Sequence, residues 1–244
     1  MTNENDELWA DVRRAISLLT DGGTTDCSSD FLREKRMKNP DVSIVITNYN
    51  YSKYITRCIR SVISQKNVNH EVIVVDDCST DDSLDQIEQF RQSGDVKVFK
   101  TEKNSGVAAA ANVGIRNARG QFVVRVDSDD YVSGDMCYFM KTYLESNHDA
   151  FCVSCDYVLV DDHEVTITRK YAELEPVSCG IMYRRDLLLQ MGGYKEDQRH
   201  REEEELRKRL GDFYKIHHLK IPFYRYRMHD SNKTKTKEYE ECKI

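Results

Sequence analysis

From Pro40 onward the apolar positions follow two alternating rhythms. VSIVIT (42–47) is a compact β-branched run and predicts a buried strand. Between Tyr51 and Gln65, Ile55, Ile59, Val62 and Ile63 share one face, which predicts a helix. EVIVVD (71–76) predicts a second strand. A helix carrying Leu84, Ile87 and Phe90 follows, with Ser79 or Thr80 as its cap. VKVFK (96–100) is the third strand, Gly106–Ala118 an Ala-rich helix, and QFVVRVD (121–127) the fourth strand. This βαβαβαβ alternation implies an α/β fold with a mostly parallel sheet and helices on both faces. Right-handed crossovers place all four strand C-termini along one edge, where open α/β sheets bind ligands.

After Asp130 the rhythm changes. A helix over 134–146 precedes strand-like runs at 151–160 and 164–170. Helices near 184–191 and 202–210 flank a Gly-Gly-Tyr turn, and two short aromatic strands are expected at 213–218 and 222–227. These later strands lack partners for a sheet of their own, so they belong to the first domain. Before Pro40, Leu8, Trp9, Val12, Ile16 and Leu19 recur at helical spacing, and Asp21–Asp30 reads as a polar linker. The expected organisation is an N-terminal amphipathic helix and linker (1–40), a main domain (41–231) and a charged tail (232–244). The helix is expected to dock on its own domain rather than on a partner or a membrane surface.

Charge narrows the function classes. The 36 Lys and Arg against 42 Asp and Glu leave a net charge of −6, which argues against a dedicated nucleic-acid binder. No apolar run approaches the roughly 18 residues of a membrane span. The acidic start MTNENDELWA is neither a secretory signal nor a transit peptide, so the eight cysteines are expected as reduced thiols in a cytoplasm.

The candidate chemistry sits just past each parallel strand. Strand one ends in Thr47, Asn48 and Tyr49, and strand two in Asp76 and Asp77. Strand three runs toward Asn104 and Gly106, and strand four ends in Asp127, Asp129 and Asp130. One such acid suits a helix cap, but this many at one edge suit a hard divalent cation, Mg²⁺ or Mn²⁺. Strand alternation sends Asp127 and Asp129 to the same side. Neither a G-x-G-x-x-G turn nor a G-x-x-x-x-G-K-[ST] loop is present, which weighs against dinucleotide oxidoreductases and P-loop NTPases. Cys152 and Cys155 lie three apart in a strand and face opposite sides, so they read as small core residues rather than zinc ligands.

The ordered series VSIVITNYNYSKYI, EVIVVDDCSTDDS, NSGVAAAANVGIRNARGQFV, VDSDDY, MYRRDLLLQMGGYKED and REEEELRKRL resembles the family 2 glycosyltransferases, over residues 43–230. The resemblance implies a GT-A fold, with a nucleotide-binding half (41–131) and a mixed acceptor-binding half (132–231). It implies that Thr47 or Asn48, together with Tyr49 and Asp77, holds the nucleotide base, with Asp76 nearby and Asn104 and Gly106 in the loop over the nucleotide. Asp127 is implied at the ribose and diphosphate. A Mn²⁺ or Mg²⁺ ion falls best on Asp129, with Asp127, Asp130 and His229 as further candidates. The catalytic base falls on Glu203 of the Glu202-Glu203 pair, where the family has Glu-Asp. The i,i+4 spacing of Glu203–Arg207, Glu204–Lys208 and Glu205–Arg209 equally suits ion pairs on a solvated helix. His229, Arg225, Arg227, Lys233 and Lys235 make a basic stretch, suited to a diphosphate or an anionic membrane.

The implied reaction is inverting, metal-assisted hexosyl transfer from a nucleotide-sugar, UDP by resemblance, to a saccharide, lipid-linked or other hydroxyl acceptor. The implied place is the cytoplasm, with peripheral contact at the inner face of a membrane allowed. Two other readings stay open: a catalytically silent GT-A-like scaffold subunit, and a sugar-phosphate nucleotidyltransferase, which would normally show a Gly-rich basic loop after strand one.

Overall fold

The computed structural model describes residues 40–197, 202–211, 216–230 and 232. The N-terminal helix and linker, residues 213–215 and the tail beyond Asn232 lie outside the described residues. Among the described residues one nine-stranded sheet runs through the whole domain in the order β3-β2-β1-β4-β8-β6-β9-β5, with β7 paired to β6. Its first half is parallel: β1 (Val42–Asn48), β2 (His70–Asp76), β3 (Lys97–Lys100) and β4 (Phe122–Asp127). The helices α1 (Ser52–Ile63), α2 (Ser83–Gln92) and α3 (Val107–Asn117) make the crossovers.

The second half is mixed. It contains β5 (Tyr131–Val132), α4 (Met136–Ser146), β6 (Cys152–Val160), β7 (Thr166–Lys170), β8 (Ile181–Arg184), α5 (Arg185–Gln190), α6 (Glu202–Leu210) and β9 (Ile216–Arg227). β8 enters between β4 and β6, antiparallel to both, and so joins the two halves. No helix among the described residues is long and apolar enough to cross a membrane.

Strand alternation sorts the core into two layers. Ile44, Ile46, Val72, Val74, Val124 and Val126 pack with α1, α2 and α4. Val45, Ile73, Val75 and Val123 pack with α3, α5 and α6. Cys152 lies in the second layer and Cys155 in the first, as their spacing predicts. Helix α3 presses closely on β1: a Cβ added at Gly114 would overlap the Val45 side chain, and its neighbours Ala108–Ala111 are equally small.

Three local expectations change. The two short aromatic strands are one strand, β9, paired along the nine residues of β6. Pro222, which has no N–H to donate, sits where the register shifts opposite Asp156, so a bulge absorbs what reads in sequence as a break. β8 was not expected, because four residues beside a helical pattern carry too little periodicity. Helix α2 starts at Ser83 with Asp82 in the cap position, rather than from Ser79 or Thr80. Ser79 faces β1 instead, accepting from Asn48 Nδ2 and Asn50 N.

Candidate active site

Pairing in register assembles the donor edge: β1 sets Thr47 beside Asp127 on β4 and Asn48 beside Asp76 on β2. Beyond this edge lies a cavity of 230 Å³. Thr47, Asn48, Tyr49, Asp77, Asp127, Asp129, Asp130, Glu202 and Glu203 all line it. Asp76, Asn104, Gly106 and His229 are not among its lining residues.

The carboxylates at the end of β2 are engaged in local structure. Asp76 is fully buried and accepts from Asn48 Nδ2 at 2.9 Å and from Ser79 N at 2.9 Å. Asp77 accepts from Thr101 Oγ1 at 2.8 Å, Ser105 N at 3.0 Å and Gly106 N at 2.7 Å. It thereby shapes the loop before α3, in which Asn104 is exposed and Gly106 takes the N-cap at φ 92, a conformation suited to glycine. Asn48 keeps its Oδ1 buried without a hydrogen-bond partner among the described residues.

The turn after β4 closes with Asp130 N donating to Asp127 O at 3.0 Å. Its three carboxylates then take different partners. The Asp127 side chain is 29% exposed, with Oδ1 3.1 Å from Arg125 Nε and 3.4 Å from the Thr47 hydroxyl. Asp129 Oδ2 meets His229 Nε2 at 3.0 Å. That imidazole is buried against the Tyr54 ring (4.7 Å) and the Tyr51 ring (5.6 Å). Asp130 is buried and accepts from Tyr224 Oη and Arg227 N, each at 2.8 Å. Burial, with Asp129 and Asp127 alongside, pushes its pKa well above the usual carboxylate range. Like charges held this close leave a site that a dication would relieve.

The residues therefore fit a hard divalent ion, with carboxylate oxygens as donors. Ligand atoms of Asp127, Asp130 and Cys179 lie within 4.8 Å of one another. Burial and the same two carboxylates push the Cys179 thiol well up, so it is no thiolate in the absence of a cation. The basic stretch on β9 is engaged elsewhere. Arg227 is buried, donates to Asp129 O at 2.9 Å and pairs with Glu164 at 3.1 Å, and Arg225 donates to Pro222 O at 2.5 Å. Lys233 and Lys235 lie outside the described residues.

Across the cavity stands the first turn of α6. Glu202, Glu203, Leu206 and Leu210 form its buried face, so the glutamate run divides. Glu205 pairs with Arg209 at 2.9 Å and Lys195 at 3.1 Å, the i,i+4 pattern expected of a solvated helix. Glu202 accepts from Arg125 Nη1 at 2.8 Å. Glu203 accepts from Tyr183 Oη at 2.5 Å, and Arg207 Nε stands 3.6 Å away. Its second oxygen, Oε2, is buried and has no hydrogen-bond partner among the described residues. Burial raises the Glu203 pKa, and Tyr183, Arg207 and Arg125 offset part of that rise.

Three further residues at the site, Arg125, Tyr183 and Cys179, do not stand out as functional in the sequence. Arg125 had a signal, a lone cation in the apolar run QFVVRVD. Tyr183 and Cys179 had none, because each acquires its role only when β8 docks beside β4.

Residues 43–200 match the model of Glycosyl transferase family 2. Over 109 residues the chain is 38% identical to the poly(ribitol-phosphate) β-N-acetylglucosaminyltransferase TarS of Staphylococcus aureus, covering 43% of this chain and 19% of that protein. The crystal structure of S. aureus TarS 1–349 in complex with UDP-GlcNAc superposes with a TM-score of 0.68 at 25% identity. That superposition covers 79% of this chain and 60% of the other. The mannosyltransferase PcManGT of Pyrobaculum calidifontis, solved with GDP-Man and Mn²⁺, shares the fold at a TM-score of 0.64 and 18% identity, covering 89% and 69%. The mixed sheet is thus that of GT-A glycosyltransferases.

Proposed function

The chain belongs to glycosyltransferase family 2, and from that premise we propose that it transfers a sugar from a nucleotide-sugar to an acceptor hydroxyl, with inversion at the anomeric carbon. One observation carries this reading: an acidic turn and a buried carboxylate with an oxygen unpartnered among the described residues line the same cavity. The donor lies along the edge from Asn48 to Asp127, with its base toward Asn48, Tyr49 and Asp77. The TarS complex with UDP-GlcNAc favours a UDP-sugar. Asp127 and Asp129, with Asp130 behind them, would hold a divalent ion. When bound, the ion supplies charge neutralisation to the departing nucleoside diphosphate. His229 orients the Asp129 carboxylate.

Glu203 is the general base. Its Oε2 takes the proton of the acceptor hydroxyl as that oxygen attacks the anomeric carbon from the side opposite the leaving group. A carboxylate that has lost water, with Tyr183, a distant Arg207 and Arg125 offsetting part of that loss, is a stronger proton acceptor than an exposed one. Tyr183 fixes the other oxygen, so Oε2 has a set direction.

Nucleotide release from a panel of UDP- and GDP-sugars, with and without Mn²⁺ or Mg²⁺, tests the reading. Turnover of one donor that needs a divalent ion supports it. Binding of no donor under any condition would move the chain to the silent scaffold reading.

A further inference from the structure

We propose that Arg125 is a positioning residue that holds helix α6 in register with the donor turn and so keeps Glu203 aimed at the acceptor hydroxyl. This deepens the transferase reading and rests on it.

Arg125 lies in the middle of β4, and alternation turns it away from Val124 and Val126 into the layer of α3, α5 and α6. A guanidinium there is costly unless it is paired. Its side chain is 5% exposed and it has two partners. Nε stands 3.1 Å from Asp127 Oδ1 as an ion pair without hydrogen-bond geometry, and Nη1 donates a hydrogen bond to Glu202 Oε1 at 2.8 Å. The first carboxylate belongs to the donor turn and the second to the base helix, 77 positions further along the chain.

The guanidinium also lies 5.6 Å from the centre of the Tyr194 ring. Tyr194 is itself anchored, donating from N to Asn112 Oδ1 at 3.0 Å and accepting at O from Asn112 Nδ2 at 2.7 Å. The Nη1 hydrogen bond sets the direction of the Glu202 carboxylate while the guanidinium charge holds Asp127 close, a combination that a flexible lysine ammonium reproduces poorly. Glu203 is the next residue after Glu202, so any slip of the Arg125–Glu202 contact displaces the base. The groups that face Glu203 are Tyr183 from β8, Cys152 from β6, Tyr194, Arg125, and Glu202 and Arg207 of its own helix.

The test uses the full chain with Arg125→Gln, Arg125→Lys and the double variant Arg125→Gln/Glu202→Gln. The double variant removes both buried charges and leaves neither orphaned, so it secures the fold if the single one unfolds. Three readouts are taken: single-turnover rate, donor Kd by calorimetry with the UDP-sugar that turns over, and a carboxyl-carbon NMR titration of Glu203. The Glu203 resonance is identified by its loss in Glu203→Gln.

Arg125→Lys is expected to lower the rate about 10-fold, and the double variant about 100-fold, with donor Kd within about three-fold. Arg125→Gln is expected to move the Glu203 titration upward. A double variant that melts like the native chain and turns over at its rate would show that Arg125 only staples the core, and overturn the proposal. A Glu203 titration unmoved in Arg125→Gln would also overturn it. Failure of the transferase reading looks different: the native chain turns over no donor, while the NMR titration still reports whether Arg125 acts on Glu203.

Discussion

Two buried carboxylates, one from each half of the sheet's domain, show how differently the fold treats its acids. Asp77, at the end of β2, accepts one hydroxyl and two backbone N–H groups. Glu203, at the start of α6, accepts one phenol and keeps one oxygen with no hydrogen-bond partner among the described residues. Both line the cavity, and both are burdened by desolvation, yet they suit different work. A carboxylate saturated by backbone donors is bound into the fold and shapes a loop. One left short of donors keeps a basic lone pair. The parallel half of the sheet is rich in the first kind and the mixed half supplies the second.

Glu203→Gln gives the largest effect expected here. It should lower turnover about 10²–10⁴-fold while donor affinity stays, because the amide keeps the shape and loses the basic oxygen. Calorimetry with donor beside a rate measurement checks this, and wild-type turnover would sink the base assignment. Asp129→Asn comes next. It should weaken divalent-dependent donor binding about 10–100-fold, read as the difference in donor Kd with and without Mn²⁺. Addition of a chelator to the native chain should have the same sense.

Asp77→Ala tests the other side of the contrast. It strands the Ser105 and Gly106 N–H groups and should lower stability by about 1–3 kcal/mol, seen as a lower Tm. Gly114→Ala should cost about 1–3 kcal/mol by forcing α3 off Val45, with the acidic turn unaffected.

The smallest effect is on pH dependence. The Glu203 pKa is raised, so folding takes up a proton there between the unfolded value near 4.5 and the folded value. That stabilisation is fully present below 4.5 and is lost as pH rises through the folded value. The same shift should place the acid limb of activity above 4.5, since the base works deprotonated. Glu71 gives the reverse sign. Burial works against its charge, but Lys97, the Ser43 hydroxyl and the Arg119 N–H hold its pKa below 4.5. Its contribution is present above 4.5 and is lost as pH falls through the lowered value. Because Gln mimics the protonated carboxyl, denaturant titrations across pH 3–8 should show both variants tracking the native chain at low pH and departing as pH rises, Glu203→Gln toward higher relative stability and Glu71→Gln toward lower.

Much of the nucleotide-side architecture was legible from spacing. Period-two apolar runs and period-3.6 faces are local signals, and their alternation implies a parallel sheet with one ligand edge. Thr47, Asn48, Asp76 and Asp127 could be set at that edge because each follows a strand directly. The mixed half was less legible. β8 is four residues long, and the continuity of β9 depends on β6 lying beside it and absorbing Pro222 in a bulge.

By itself the sequence determined the strand–helix alternation, the ligand edge, the acids that gather there and the glutamate pair at the head of α6. Only the tertiary structure decided which of those acids are already satisfied. Asp76 and Glu202 read in sequence much like Asp127 and Glu203. They differ because Asn48 and Ser79 close on Asp76, Arg125 reaches Glu202 across 77 residues, and nothing reaches the second oxygen of Glu203 among the described residues. Periodicity is a property of neighbours along the chain, whereas the lone pair left free for chemistry depends on partners that meet only when the sheet closes.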